Sequence, residues 1–163
     1  MRYAAILGND VLDGFNGVTV SFWTQGCPFH CKGCHNQHTW DFNGGKEDTI
    51  DNIVDEIKHK LVANGVHRNF SILGGEPLCE QNVDDVLEII KRVREEYPEI
   101  TIAMWTGYTL ENLRKRDDWK TIDDILEKID ILVDGPFIEA LRDVDLAYRG
   151  SSNQRILRKG YDF

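Results

Sequence analysis

From Val18 to Trp23 apolar and polar residues alternate, with Val18, Val20 and Phe22 set against Thr19 and Ser21. A period of two, rich in β-branched and aromatic residues, predicts a strand. After Asp48-Thr49, which reads as a helix start, Ile50, Ile53, Val54, Ile57 and Leu61 recur at helical spacing until Asn64-Gly65 stops them. The two periods then take turns. Strands are predicted at Asn69 to Leu73, Ile100 to Trp105 and Ile131 to Val133. Between them, Asn82 caps a helix whose inner face is Val83, Val86, Leu87, Ile90 and Val93, with Pro98 just past its end. One or two short helices fall over Leu110 to Arg116 and Ile122 to Lys128. A short edge strand at Tyr3 to Ile6 and a strand at Arg155 to Leu157 complete the set. Asp13 to Gly17 reads as a turn and Trp40 to Gly45 as a loop.

Strands alternating with helices predict β-α units and a parallel sheet, an α/β fold. Such sheets place their chemistry in the loops after the strand C-terminal ends. Four loops follow predicted strands here: the stretch after Trp23, Gly74-Gly75-Glu76-Pro77, Thr106-Gly107-Tyr108 and Asp134-Gly135-Pro136-Phe137. They are therefore expected on one face. An eight-fold barrel takes about 250 residues, and 163 are too few. The expectation is a single domain over 1–163, built as an open partial (β/α) barrel of about five to six mostly parallel strands. Its open side would admit a segment of another protein.

Composition narrows the class. A hydrophobic content of 41% fits a globular chain, and a formal net charge of −9 disfavours nucleic acid. No apolar run approaches the ~20 residues that span a bilayer, and the N-terminus lacks a signal-peptide layout. The expected setting is cytoplasmic, without membrane or nucleic-acid partners. Three of the four cysteines are clustered, which points to metal or redox chemistry rather than a disulfide framework.

Those three lie in Cys27-Pro28-Phe29-His30-Cys31-Lys32-Gly33-Cys34, directly after the first strong strand. A loop so short brings its sulfurs together on one small object. A four-iron cube takes one ligand per iron, so three thiols leave one iron free for another ligand. On the residues alone, a structural zinc completed by His30, His35 or His38 is also open, as is a disulfide with a spare thiol. Cys79 reads as a buried thiol. Gly74-Gly75-Glu76-Pro77 suits an amino-acid headgroup: glycines allow close backbone approach, and a carbonyl or the Glu76 carboxylate accepts from an ammonium. Trp105 to Tyr108 would line a nucleoside or a substrate channel, and Asp134 would orient ribose hydroxyls or cap its turn. Arg149-Gly150-Ser151-Ser152-Asn153-Gln154-Arg155 reads as a surface loop, or as a clamp for a carboxylate, since arginine offers a planar fork of donors.

The C-x3-C-x2-C spacing resembles the signature of the radical S-adenosylmethionine (SAM) enzymes. Gly26 to Asn36, Thr39-Trp40-Asp41, Gly74 to Leu78, Trp105 to Tyr108, Asp134 to Phe137 and Arg149 to Arg155 together resemble the activating proteins of anaerobic ribonucleoside-triphosphate reductases. The thiol loop and the Gly-Gly-Glu-Pro turn are shared with pyruvate formate-lyase activase. The Arg149 to Arg155 stretch and the compact length favour the reductase branch. At Asp13 to Val18 the chain departs from a pattern that often reads Asn-Gly-Pro-Gly followed by an arginine.

This resemblance implies a 4Fe-4S cluster on Cys27, Cys31 and Cys34, with SAM chelating the free iron. Gly33, Cys34, His35 and Asn36 would pass near the adenine. Gly74, Gly75 and Glu76 would hold the methionyl amino group, with Thr106 and Asp134 completing the cofactor site. No residue is assigned as a catalytic acid or base. The implied reaction is reductive cleavage of SAM to a 5'-deoxyadenosyl radical, which takes hydrogen from a glycine of the large reductase subunit. A one-electron donor such as flavodoxin would feed the cluster.

Overall fold

The computed structural model describes residues 1–163. Seven strands form one sheet: β1 (Arg2–Asp10), β2 (Thr19–Thr24), β3 (Lys46–Glu47), β4 (Asn69–Gly74), β5 (Ile102–Trp105), β6 (Ile131–Asp134) and β7 (Arg155–Arg158). Their order across the sheet is β3-β1-β2-β4-β5-β6-β7. The central four, β2, β4, β5 and β6, run parallel. The flanking pairs β1·β2, β1·β3 and β6·β7 are antiparallel, so the architecture is α/β with a mixed sheet.

The helices α1 (Ile50–Leu61), α2 (Val83–Glu96), α3 (Leu110–Leu113) and α4 (Trp119–Leu126) lie in the connections between the parallel strands. Thr49 starts α1 by accepting from Asn52 N–H at 3.2 Å, and Thr109 starts α3 by accepting from Asn112 N–H at 3.3 Å. Asn82 does not cap α2 with its side chain. Its amide is buried and donates instead to the carbonyls of Gln25 and Glu76, both at 3.0 Å.

The sequence pattern locates five of the seven strands to within two residues of their ends, and departs from the structure at β1 and β3. β1 runs for nine residues where four were expected, and it is not the edge. The outermost strand is β3, two exposed charged residues with no apolar period to betray them.

The sheet's two faces differ. Phe22, Ile72, Met104 and Leu132 stand in register across the four parallel strands and pack with α1, α2 and α4 into a core of 27 buried residues. On the other face a much smaller cluster joins Phe15, Ala103, Ile131 and Val133 to Trp105, Tyr148 and Ile156. No helix of eight or more residues supplies that cluster; residues 11–17 and 138–154 do. Phe15 and Tyr148 stack there with ring centroids 3.9 Å apart. Strand alternation sends Trp23, Leu73 and Trp105 to this second face, where they line a cavity. No helix is long and apolar enough to cross a membrane.

Candidate functional site

The cavity holds about 610 Å³ and lies where the parallel strands end. Cys27, Cys31 and Cys34 form part of its wall, together with His35, Asn36, Gly74, Gly75, Glu76 and Thr106. These nine of the eleven residues singled out in the sequence therefore share one space. Gly33 and Asp134 do not line it. Gly33 (φ +77°) faces the Glu139 side chain on the outer side of the loop. Asp134 is fully buried and accepts from Leu110 N–H at 2.8 Å, with Arg155 paired to both of its oxygens.

The thiol loop is closed at its base. Gly26 N–H donates to Thr39 O at 2.8 Å and Cys27 N–H to Trp40 O at 3.1 Å. The Gln25 side chain donates to the carbonyls of His38 and Asp41, clamping the returning strand of chain. The loop is also laced to the glycine turn: Gly75 N–H donates to Thr24 O at 2.9 Å and Glu76 N–H to Gly26 O at 2.8 Å. That close approach requires glycine. A Cβ on Gly75 would lie 2.4 Å from Gly26 O, and one on Gly74 (φ +104°) 2.8 Å from Thr24 N.

All four cysteines are free thiols. Burial pushes Cys27 up to about 11 and also raises Cys31. Main-chain donors face these sulfurs: Asn36 N–H reaches Cys34 Sγ at 3.3 Å, and the amides of Phe29 and Phe137 act on Cys27 and Cys31. No three His, Cys, Asp or Glu side chains are placed to hold a single metal ion. His30 packs edge-on against Trp40, and His38 does not line the cavity. Three thiols on the wall of a roomy cavity, with amide donors aimed at sulfur, fit an iron-sulfur cluster with three protein ligands. Cys79 is buried, off the cavity, and its thiol is raised to about 11 by burial.

Glu76 is 1% exposed and its carboxylate is already engaged. Oε1 accepts from Thr106 Oγ1 at 2.7 Å and Leu78 N–H at 2.9 Å, and Oε2 accepts from Gly107 N–H at 2.7 Å. It ties the turn after β4 to the turn after β5. Thr106 Oγ1 in turn accepts from Tyr108 N–H at 3.2 Å. Burial pushes Glu76 up to about 7 against the pull of these donors.

Other wall residues carried no readable signal. Leu12 and Asp13 come from the β1–β2 turn, which the sequence shows only as a turn, and Leu146 and Tyr148 from a segment without period. Arg149, Gly150 and Gln154 bring the odd polar stretch onto the cavity, while Arg155 turns away to Asp134 and Glu111.

Comparison with known proteins agrees with this geometry. A family model described as a 4Fe-4S single cluster domain matches residues 12–157. The anaerobic ribonucleoside-triphosphate reductase-activating protein of Salmonella typhimurium is 37% identical over 155 residues, which is 94% of this chain and 96% of that protein. The protein of the same description from Vibrio cholerae is 37% identical over 161 residues, 97% of this chain and 98% of its own. That of phage T4 is 29% identical over 156 residues, 96% of this chain and 93% of its own. With identity at this level spanning nearly the full length of both partners, and a cluster-domain match that takes in all three thiols, the chain belongs to the family of anaerobic ribonucleoside-triphosphate reductase-activating proteins.

Proposed function

We propose that this protein is a radical SAM activase that installs a glycyl radical on the large subunit of an anaerobic ribonucleotide reductase. The observation that carries the reading is the single cavity shared by Cys27, Cys31, Cys34 and the Gly74-Gly75 turn. With three thiols for four irons, one corner of a cluster is left to a ligand from the cavity. When bound, the reduced cluster and SAM supply an electron and a sulfonium whose cleavage gives methionine and the 5'-deoxyadenosyl radical that takes hydrogen from the target glycine.

The chain's own work is positioning. Cys27, Cys31 and Cys34 hold the iron. The Gly74 and Gly75 backbone, on the cavity wall, receives the amino group, and the Glu76 carboxylate, spent on Thr106, Leu78 and Gly107, fixes the two turns that flank it. Trp23, Leu73 and Trp105 give the cavity apolar walls that limit water around a reactive carbon centre. His35 and Asn36 stand beside Cys34 for the adenine by backbone contact; Gly33 and Asp134 act from outside the cavity by shaping the thiol loop and the β6 turn. In this reading the sheet curls as a partial barrel, the setting is the cytoplasm, and a low-potential carrier such as flavodoxin delivers the electron.

The test is anaerobic incubation of the iron-reconstituted protein with SAM, a reductant and the large subunit of an anaerobic ribonucleotide reductase. A glycine-centred doublet in electron paramagnetic resonance, with one methionine released per radical, is expected. A cluster-loaded protein that binds the subunit and yields neither signal would refute the assignment.

A further inference from the structure

In a chain with 28 Asp and Glu against 19 Lys and Arg, an arginine finds a carboxylate readily. Arg2, Arg92, Arg94, Arg116 and Arg155 each do. The buried Arg68 is saturated by Asn9 and two carbonyls. Arg114, Arg142 and Arg158 form no ion pair either, but they are exposed and stand away from the cavity; Arg149 is different. It is half-buried, it is the sole Lys or Arg on the cavity wall, and it forms no ion pair. Its hydrogen bonds are two long ones, from Nε to Ala147 O at 3.4 Å and from Nη1 to Gln154 O at 3.3 Å, and Nη2 makes none.

The loop that carries it is held in place. Gln154 Oε1 accepts from Gly150 N–H at 2.8 Å and Ser151 N–H at 3.1 Å, while its Nε2 donates to Gly135 O at 3.1 Å. Asn153 donates to Pro136 O at 2.8 Å, and Ser151 Oγ accepts from Ile138 N–H at 3.2 Å. Ser151, Asn153 and Gln154 thus fasten the loop to the chain after β6, with Asn153 Oδ1 left buried and without a partner. Gly150 lies against the Phe137 ring, so that a Cβ there would be 3.0 Å from the ring edge. The same Phe137 presents its backbone amide to Cys31. One aromatic residue therefore separates the Arg149 loop from the thiol loop.

A guanidinium carried on a fastened loop, without a counter-ion and on the wall of a cavity, calls for an anion of matching planarity. We propose that Arg149 is a carboxylate-binding residue of this cavity. The inference rests on the proposed reaction, which brings to the cavity a cofactor with one carboxylate, at the methionyl end of SAM, and a segment of another protein, in which aspartate and glutamate side chains are the alternative source.

Quenching of the cavity tryptophans Trp23, Trp40 and Trp105 in the reconstituted protein separates the sources. SAM and decarboxylated SAM are titrated into the wild type, Arg149→Gln and Arg149→Lys. If the cofactor supplies the carboxylate, Arg149→Gln weakens SAM by about 10- to 100-fold and decarboxylated SAM by less than about twofold, with Arg149→Lys between. If the target supplies it, SAM binding is unchanged and the KM for the large reductase subunit rises by a similar factor. The proposal is overturned if neither affinity nor KM moves, or if both SAM forms weaken equally, which would mark a purely structural role. Iron content and circular dichroism of the variants check folding. A wild type that carries its cluster yet binds no SAM would defeat the proposed reaction and this inference together; normal SAM binding with an indifferent Arg149→Gln defeats only this one.

Discussion

Glu76 shows how far the fold can alter a single group. Its carboxyl has no solvent, and loss of hydration outweighs three short donors, so its pKa lies at about 7 rather than the ordinary 4.5. The folded-state value is raised above the unfolded one. Between about pH 4.5 and 7 the native state therefore keeps a proton that the unfolded chain has lost, and stability falls as pH rises through that window. The expected loss is on the order of 3 kcal/mol. Asp13, pushed up to about 6 by burial and by Asp10 beside it, acts in the same direction. Comparison with Glu76→Gln isolates the larger contribution. Urea unfolding of cluster-free protein from pH 5 to pH 7.5 should show a steep loss in the wild type and a shallower one in the variant. The variant will also be weaker at every pH, because one amide nitrogen replaces an acceptor for Thr106 or Gly107. Equal slopes in the two proteins would show that Glu76 does not titrate there.

At the scale of elements, the site depends on how closely the ends of β2 and β4 approach. A side chain on Gly75 would meet Gly26 O and N, both backbone, so no rotamer change relieves the contact. Gly75→Ala must part the glycine turn from the thiol loop and stretch the Glu76–Gly26 hydrogen bond. A cost of about 1–3 kcal/mol is expected, with lower iron uptake on reconstitution at unchanged far-UV dichroism. Gly8→Ala in β1, where a Cβ meets only the flexible Lys60 chain at 3.5 Å, is the control and should stay within about 0.5 kcal/mol. Full iron loading in Gly75→Ala would show that the two loops need not touch.

The same scale explains what could be read in the sequence. Strands and helices with a buried face write their period into the chain, which is why α1, α2 and the parallel strands were legible. β3 has no buried face and left no mark. The thiol and glycine loops were legible because their chemistry demands rare residues at fixed spacing. Asn82 does stand at the N-cap position of α2, as its place in the sequence suggests, but its side chain caps nothing there, because its partners, the Gln25 and Glu76 carbonyls, are set by tertiary packing. Leu12 and Leu146 reach the cavity only through the way two irregular segments cross the sheet, and no local pattern records that.

For the whole molecule, the decisive asymmetry is between the two faces of the sheet. One carries 27 buried residues packed under helices; the other carries four, with a cavity beside them. Residues 11–17 and 138–154 cover the second face and meet in the Phe15–Tyr148 stack, and Tyr148 is held at φ +60°, a costly conformation for a bulky residue. Few apolar contacts anchor these segments, so their local opening should be far cheaper than global unfolding. Amide hydrogen exchange is the direct measure. In cluster-free protein, β2, β4, β5, α1 and α2 should exchange slowest and at a common free energy, while 11–17 and 138–154 exchange by sub-global opening. A ligand that fills the cavity contacts both covering segments and only one face of the sheet, so at about 100 times its Kd it should slow exchange in those segments by up to roughly 100-fold. It should leave α1 and α2 relative to each other unchanged. If, before any ligand is added, 11–17 and 138–154 exchange at the same free energy as β2, β4, β5, α1 and α2, the covering segments are integral to one cooperative unit, and access to the cavity requires the whole domain to open.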